Sequence, residues 1–336
     1  MAKKQKQNKK LSELLNLPVI LADGITSEEV KPYYYDSTKL VKYPEPMFRL
    51  DVKGRRYYYR LVEGESIFYT SVTTMIKDNM PTPKALLKWM VDQDNGEEEM
   101  MERAFYGTVL HAMFAELLIN GKYDLDKLPE ELAKYGIKEN TTIKPEWAEE
   151  LKKDLLALSQ FVIDYHVVPL AIEVILYHPN DGYAGALDLV CTLDYTESGH
   201  FGEVYASGVN KGQPKLSKRT IRAMAIVDLK SGRKGFYESH EIQLESYRQM
   251  WNVHYPDFPI TKTFNLSPKE WRTKPSYNLK EQSDAKSKDK LPHLVNLAKI
   301  EEERHEKTVT VMSGTIDLAK GIECNYKEIT LTELVK

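Results

Sequence analysis

Asp228-Leu229-Lys230 closes a run, AMAIV, that is otherwise apolar. In extended backbone, residues i and i+2 point to one face, so this carboxylate and this ammonium stand side by side. A charge buried there is costly unless it is paired or holds a metal. A salt bridge at a strand end meets that condition, so the triplet alone does not decide. Two more acids interrupt apolar runs: Asp188 within AGALDLVCTL and Glu173 within LAIEVIL. Alternation puts Leu187, Leu189 and Cys191 on one face and Ala186, Asp188 and Val190 on the other, while Asp194 reads as a solvated turn residue. Three strand-like segments with one inward acid each need three structural explanations, or one divalent metal. Hard oxygen donors favour Mg²⁺ or Mn²⁺ over zinc. Gly107 and His111 are four apart and share a helix face, as do Gln243 and Tyr247 in the segment after Lys230. The glycine allows a neighbouring element to come close. Taken alone, a histidine beside Leu110, Met113 and Phe114 reads as a core residue.

These residues need elements to hold them. FYGTVLHAMFAELLING has helical periodicity and stops at Gly121, and EWAEELKKDLLALSQFVIDY at 146–165 is a second helix. LAIEVILYH at 170–178 reads as a buried strand. A turn at Asp181-Gly182 leads to a second strand at 184–195, and AMAIVDLKS at 223–231 is a third. The Gly-, Ser- and Lys-rich stretch 196–220 between them reads as a long hairpin tip or loop. HEIQLESYRQMWNVHY is a helix and ITKTFNLS at 260–267 a fourth strand. Upstream, MFRLDV, a Lys53-Gly54 turn and RRYYYRLV form a β-hairpin. Ser71 to Thr74 cap a following helix, KALLKWMV opens another, and the acidic stretch 94–102 is a solvated loop or helix start. Residues 268–290 are polar and lysine-rich with weak periodicity, followed by a helix near 291–306 and a short tail. The order is helix, three strands, helix, strand, without an internal repeat.

Composition narrows the class. The 336 residues are 42% hydrophobic and 29% charged, which excludes a chain disordered throughout. Seventeen Gly and sixteen Pro exclude fibrous repeats. Two cysteines, Cys191 and Cys324, supply neither a disulfide framework nor a four-cysteine cluster, so a reducing cytoplasm is expected. No apolar run approaches the ~18 residues of a membrane span. The basic start, MAKKQKQNKK, has no apolar core behind it and is not a secretory signal; it reads as a disordered tail or a non-specific phosphate-binding arm. A net charge of -3 argues against a passive nucleic-acid coat, but not against an enzyme with a local basic groove.

In chain order, Gly107-x-x-x-His111, Glu173, Gly185-x-x-Asp188, Asp228-x-Lys230 and Gln243-x-x-x-Tyr247 resemble the PD-(D/E)XK nuclease superfamily, and within it the RecB-type branch with phage exonucleases. The stretch SVTTMIKDNMPTPKALLKW at 71–89 resembles a segment preceding the core in phage members, so the likeness spans about residues 70–267. It implies a restriction-endonuclease-like α/β/α core of αβββαβ order around a mixed sheet, with an added N-terminal hairpin and a C-terminal extension. The resulting division is 1–44, a basic tail and extended segment; 45–267, the nuclease domain; and 268–336, an extension of unassigned role. The resemblance also implies that His111, Asp188, Asp228 and the Leu229 carbonyl ligate Mg²⁺ or Mn²⁺, with Glu173 as a further ligand or ligand-orienting acid. Lys230 would orient or activate the attacking water, and Gln243 and Tyr247 would contact DNA or position the lysine. The iron–sulfur subgroup needs four cysteines, so no such cluster is expected. No G-x-x-x-x-G-K-[ST] occurs, so a helicase would be a separate partner, as would a recombinase or single-strand-binding protein.

Residues 211–234 carry eight Lys/Arg against one acid, Asp228. Lys215, Lys218, Arg219, Arg222 and Arg233 therefore read either as a phosphate-tracking rim or as a solvated hairpin. The expected activity is a metal-dependent deoxyribonuclease, foremost an exonuclease on DNA ends in recombination, replication or repair. A structure-specific or nicking endonuclease and a catalytically idle DNA-binding scaffold are the alternatives.

Overall fold

The Lys53-Gly54 turn has both residues at positive φ, 47° and 83°, the conformation that closes a two-residue hairpin with the natural strand twist. The computed structural model describes residues 19–22, 25–40, 44–92, 96–139, 143–232, 235–304, 308–317 and 321–335. The basic tail and Arg233 lie outside them. In chain order come β1 (Val19–Ala22), β2 (Ile25–Val30), β3 (Tyr34–Tyr35), β4 (Met47–Val52), β5 (Arg55–Val62) and β6 (Glu65–Ser71). Next are α1 (Val72–Asn79), α2 (Lys84–Asp92), α3 (Gly96–Asn120), α4 (Leu128–Glu139) and α5 (Trp147–Asp164). Then follow β7 (Val168–Tyr177), β8 (Tyr183–Val204), β9 (Pro214–Leu229), α6 (Glu238–His254), β10 (Lys262–Lys269) and β11 (Ser276–Glu281). The chain closes with α7 (Leu291–Arg304), β12 (Thr308–Asp317), β13 (Gly321–Thr330) and α8 (Leu331–Leu334).

The fold is α/β, and α3, β7, β8, β9, α6, β10 give the order read from the sequence. Among the described residues, β1 to β11 form one mixed sheet, running β1-β2-β4-β5-β6-β8-β9-β10-β11 with β3 and β7 on the other side of β8. One face is covered by α3, α4 and α5, which bury Val109, Met113, Leu132, Trp147 and Phe161 against Leu189, Cys191 and Val227. The other is covered by α1, α6 and α7, which bury Met75, Trp251 and Leu294 against Val174, Leu187 and Ile226. The result is three layers, helix, sheet and helix, as an apolar two-faced sheet requires. β12 and β13 pair separately, and Val309 and Leu331 pack with Ile25, Leu50 and Tyr57 of the N-terminal strands.

Five differences from the sequence reading have physical causes. The stretch 196–220 is mostly paired strand: β8 and β9 stay in register from Thr196↔Thr220 to His200↔Leu216, shift register before Val204↔Pro214, and turn at 205–213. Its Gly, Ser and Lys content reports solvation, whereas the backbone follows pairing set by the buried half of the same hairpin. Within 268–290, β10 runs on to Lys269 and β11 adds an edge strand whose Tyr277 and Leu279 pack on the core. The sheet thus crosses the boundary read at 267/268. The short tail contains the β12–β13 pair. α4 carries buried Leu128 and Leu132, four apart, a periodicity the sequence reading passed over.

The fifth difference concerns strand faces. Leu187 and Val190 belong to one side of the sheet, Leu189 and Cys191 to the other. Likewise Val174 and Ile172 face opposite sides although they are two apart. Alternation therefore slips by one residue at Glu173 and Asp188, which the flanking pairs Ile172↔Leu189 and Val174↔Leu187 set opposite each other. Glu173 has φ 51°, a left-handed conformation rare for a non-glycine inside a strand. Such strained positions cluster at functional sites.

Candidate active site

β8 is flanked unequally. β7 follows one edge from Ala184 to Thr192. The other edge is shared: β6 takes Tyr183 and Ala184 in parallel, and β9 begins antiparallel pairing at Leu189. The C-terminal ends of β6 and β9 thus converge on a gap at residues 185–188. In open α/β sheets, ligands bind beyond strand C-termini where the strand order changes. Here the gap opens into a cleft of about 930 Å³ lined by His111, Glu173, Asp188, Asp228, Lys230 and Tyr247, among others.

Two groups meet in it. In the first, His111 of α3 sets Nδ1 3.5 Å from Glu173 Oε1 and 3.7 Å from Asp188 Oδ2. One ligand atom from each of these three residues lies within 4.8 Å of the others. One imidazole and two carboxylates at that spacing fit a divalent cation. Asp188 also accepts the Leu229 N–H at 2.7 Å, a bond that in a closed ladder would go to a backbone carbonyl. Burial opposes a charge on His111, but Asp188, Glu173 and Asp228 outweigh it and push the imidazole up to about 9. Burial raises the Asp188 carboxyl above its ordinary range against the pull of His111.

The second group centres on Asp228, 1% exposed, at the end of β9. Its Oδ2 receives Lys230 Nζ at 2.8 Å and Asn265 Nδ2 at 2.8 Å. Asn265 in turn accepts from Gln282 Nε2 at 3.0 Å. Lys230 Nζ also donates to Gln243 Oε1 at 2.9 Å, and Gln243 Nε2 donates to the Tyr247 hydroxyl at 2.7 Å. The spacing of Gln243 and Tyr247 on α6 produces that last bond. Burial raises Asp228 as well, with Lys230 opposing it. Burial also holds the Tyr247 phenol well above its ordinary range, and together with Lys230 it depresses His240 to about 4.

Two glycines permit these contacts. A Cβ on Gly107 would stand 2.9 Å from Ser231 Oγ, and one on Gly185 would stand 2.7 Å from Tyr247 Cε1. Gly185→Ala must therefore displace Tyr247, and the expected cost is about 1–3 kcal/mol, read as a lower urea midpoint at unchanged m-value.

The structure brings His111, Glu173 and Asp188 together, sets Asp228 behind them on Lys230 and Asn265, and joins Gln243 and Tyr247 to the lysine. It does not bring the basic hairpin to the cleft. Arg222 is seven residues before Leu229 on β9, roughly 23 Å at 3.3 Å per residue. Arg222 binds Asp194 at 2.9 Å and the His166 carbonyl at 2.8 Å. Lys215, Lys218 and Arg219 lie farther out. The cleft instead receives Arg49 and Arg56 from β4 and β5, held by Glu28 at 2.8 Å and Asp51 at 3.0 and 2.9 Å. Asn265 and Gln282 escaped the sequence reading. An amide inside the apolar TFNL is the same kind of interruption that marks the acids.

No protein-family model matches the chain, and no curated protein matches it. Among solved structures, it is similar to one of a "Putative exonuclease" from Eubacterium rectale, with TM-score 0.30 and 11% identity, over 57% of this chain and 73% of that one. No helix among the described residues is long and apolar enough to cross a membrane.

Proposed function

We propose that this protein is a divalent-metal-dependent deoxyribonuclease that hydrolyses DNA phosphodiester bonds from the ends. The observation that carries the reading is one cleft holding both the His111–Glu173–Asp188 group and an ammonium, Lys230, aimed from a buried acid. Mg²⁺ or Mn²⁺ bound there would supply a nucleophile at neutral pH and relieve charge on the phosphate. In this reading His111, Asp188 and Glu173 hold the ion, joined by Asp228 and the Leu229 carbonyl. Lys230 stabilises charge as it develops on the phosphate. Gln243 and Tyr247 fix the ammonium so that it does not collapse onto Asp228 alone. Asn265 keeps the Asp228 carboxylate in one orientation.

The test is a time course on end-labelled linear and closed circular DNA with Mg²⁺, Mn²⁺ or EDTA. Metal-dependent loss of linear DNA alone is the expected result. Cutting of the circle would establish an endonuclease instead. An inert protein that also takes up no Mn²⁺ at millimolar concentration would be a scaffold.

A pH dependence follows from His111. In the metal-free protein it carries a proton below about 9, and a metal ligand must be deprotonated. Mn²⁺ binding therefore releases a proton below that pH. Affinity should rise with pH, about tenfold per unit from pH 6, and level off near 9. Calorimetric titrations in two buffers of different ionisation enthalpy read the proton count directly. A pH-independent affinity over that range would remove His111 from the ligand set.

A further inference from the structure

Beyond Asp194 the β8–β9 hairpin leaves the sheet. β7 reaches only Thr192 on β8, and β10 pairs β9 only from Ala225 onward. Among the described residues, Thr196–Val204 and Pro214–Thr220 pair only with each other. Nine residues of extended strand project about 30 Å at 3.3 Å per residue. Two-stranded ribbons without a covering layer are marginal in water, so this length calls for a purpose.

Its charge is segregated. Residues 204–221 contain Lys211, Lys215, Lys218 and Arg219 and no acid, in a chain of net charge -3. All four cations are exposed. The ribbon's two acids are both on β8: Glu197 stands opposite Arg219 and lies 3.7 Å from Lys262, and Glu203, beside the tip, lies 3.8 Å from Lys215. The Arg219 guanidinium lies 5.2 Å from the centre of the Phe201 ring, which holds that long side chain extended. Phe201 and Tyr205 are both exposed. The ribbon's reach is close to one turn of B-DNA, about 34–36 Å, and the major groove admits a two-stranded β-ribbon.

We propose that the distal β8–β9 ribbon is a DNA-binding arm that grips duplex phosphates remote from the cleft. The choice of DNA among polyanions rests on the function proposed above. The arm would hold substrate without touching the reacting bond, so it should set affinity and leave the chemical step unchanged.

The experiment measures anisotropy of a labelled 30-base-pair duplex in EDTA, titrated with the full chain from 50 to 300 mM salt. Two variants are compared with wild type: K211Q/K215Q/K218Q/R219Q, and a chain in which residues 198–218 are replaced by Asn-Gly to close the ribbon early. Both should lose at least tenfold in affinity at 100 mM salt. The slope of log affinity against log salt should shrink by about 3–4 in the quadruple variant, which loses four cations, and by about 3 in the shortened ribbon, which keeps Arg219. Metal-dependent hydrolysis of bis(p-nitrophenyl) phosphate, too small to reach the arm, should be unchanged. Equal affinity and slope in both variants would overturn the proposal. So would a changed solution mass at unchanged DNA affinity, which would make the ribbon a protein interface. Cleavage by wild type with arm-independent binding would leave the nuclease reading standing and the arm refuted. Arm-dependent binding by a wild type that hydrolyses nothing would do the reverse.

Discussion

Lys230→Ala lowers DNA cleavage by about 10²–10³-fold, the cost of removing one preorganised charge-stabilising donor, while Mn²⁺ affinity stays within about threefold of wild type. The split follows from position. Lys230 Nζ lies on Asp228 Oδ2 and Gln243 Oε1, at 2.8 and 2.9 Å, and belongs to neither His111, Glu173 nor Asp188. Removing it leaves Asp228 with its Asn265 bond and takes away the ammonium that these groups hold at the cleft. Initial rates with saturating metal, set beside Mn²⁺ titrations of the same preparation, separate the two effects. A variant that cleaves as wild type does would refute the mechanism. A variant that loses metal in proportion to activity would move Lys230 from chemistry to support of the metal site.

Asp188→Asn should have the opposite signature: loss of metal first, and of cleavage because of it. The substitution keeps the shape and leaves an oxygen to accept the Leu229 N–H, now bonded at 2.7 Å. What it removes is one of two negative charges beside His111. Mn²⁺ affinity should fall by at least about 10-fold to 100-fold, the range for disturbed metal-site partners, and excess metal should restore part of the activity. The same loss of charge relaxes the hold on the imidazole, so His111 titrates well below 9 in the variant. An NMR titration of the ring reads that shift without reference to activity. Unchanged metal affinity together with an unchanged His111 titration would dissolve the triad as a unit.

Both predictions rest on residues legible as single interruptions of pattern. Asp188, Asp228 and Glu173 stand out because a carboxylate inside LDLV, IVDL or AIEV contradicts its neighbours, and only pairing or a cation resolves that conflict. Asn265 shows the same contradiction in milder form and was missed because a neutral amide is less costly to bury. The 3.6-residue period of α3 and α6 likewise put Gly107 with His111 and Gln243 with Tyr247. The basic hairpin shows where such reading fails. Lys215, Lys218 and Arg219 are near Lys230 in sequence but lie on an arm that carries them away from it, because extended backbone adds about 3.3 Å per residue.

The core order of helix, three strands, helix and strand, the chemical types available and the side chains that could not rest in a plain apolar core were readable from the residues alone. Those follow from local periodicity and from the cost of burying charge, and both are properties of short segments. Long-range pairing set the rest. The slip in alternation at Glu173 and Asp188 depends on two strands yielding together, and the gap at 185–188 depends on β6 and β9 dividing one edge of β8. Whether His111 joined the acids or filled a core depended on how α3 crosses the sheet. These are long-range pairings, fixed by the packing of two helical layers on one sheet, and no window of neighbouring residues contains them.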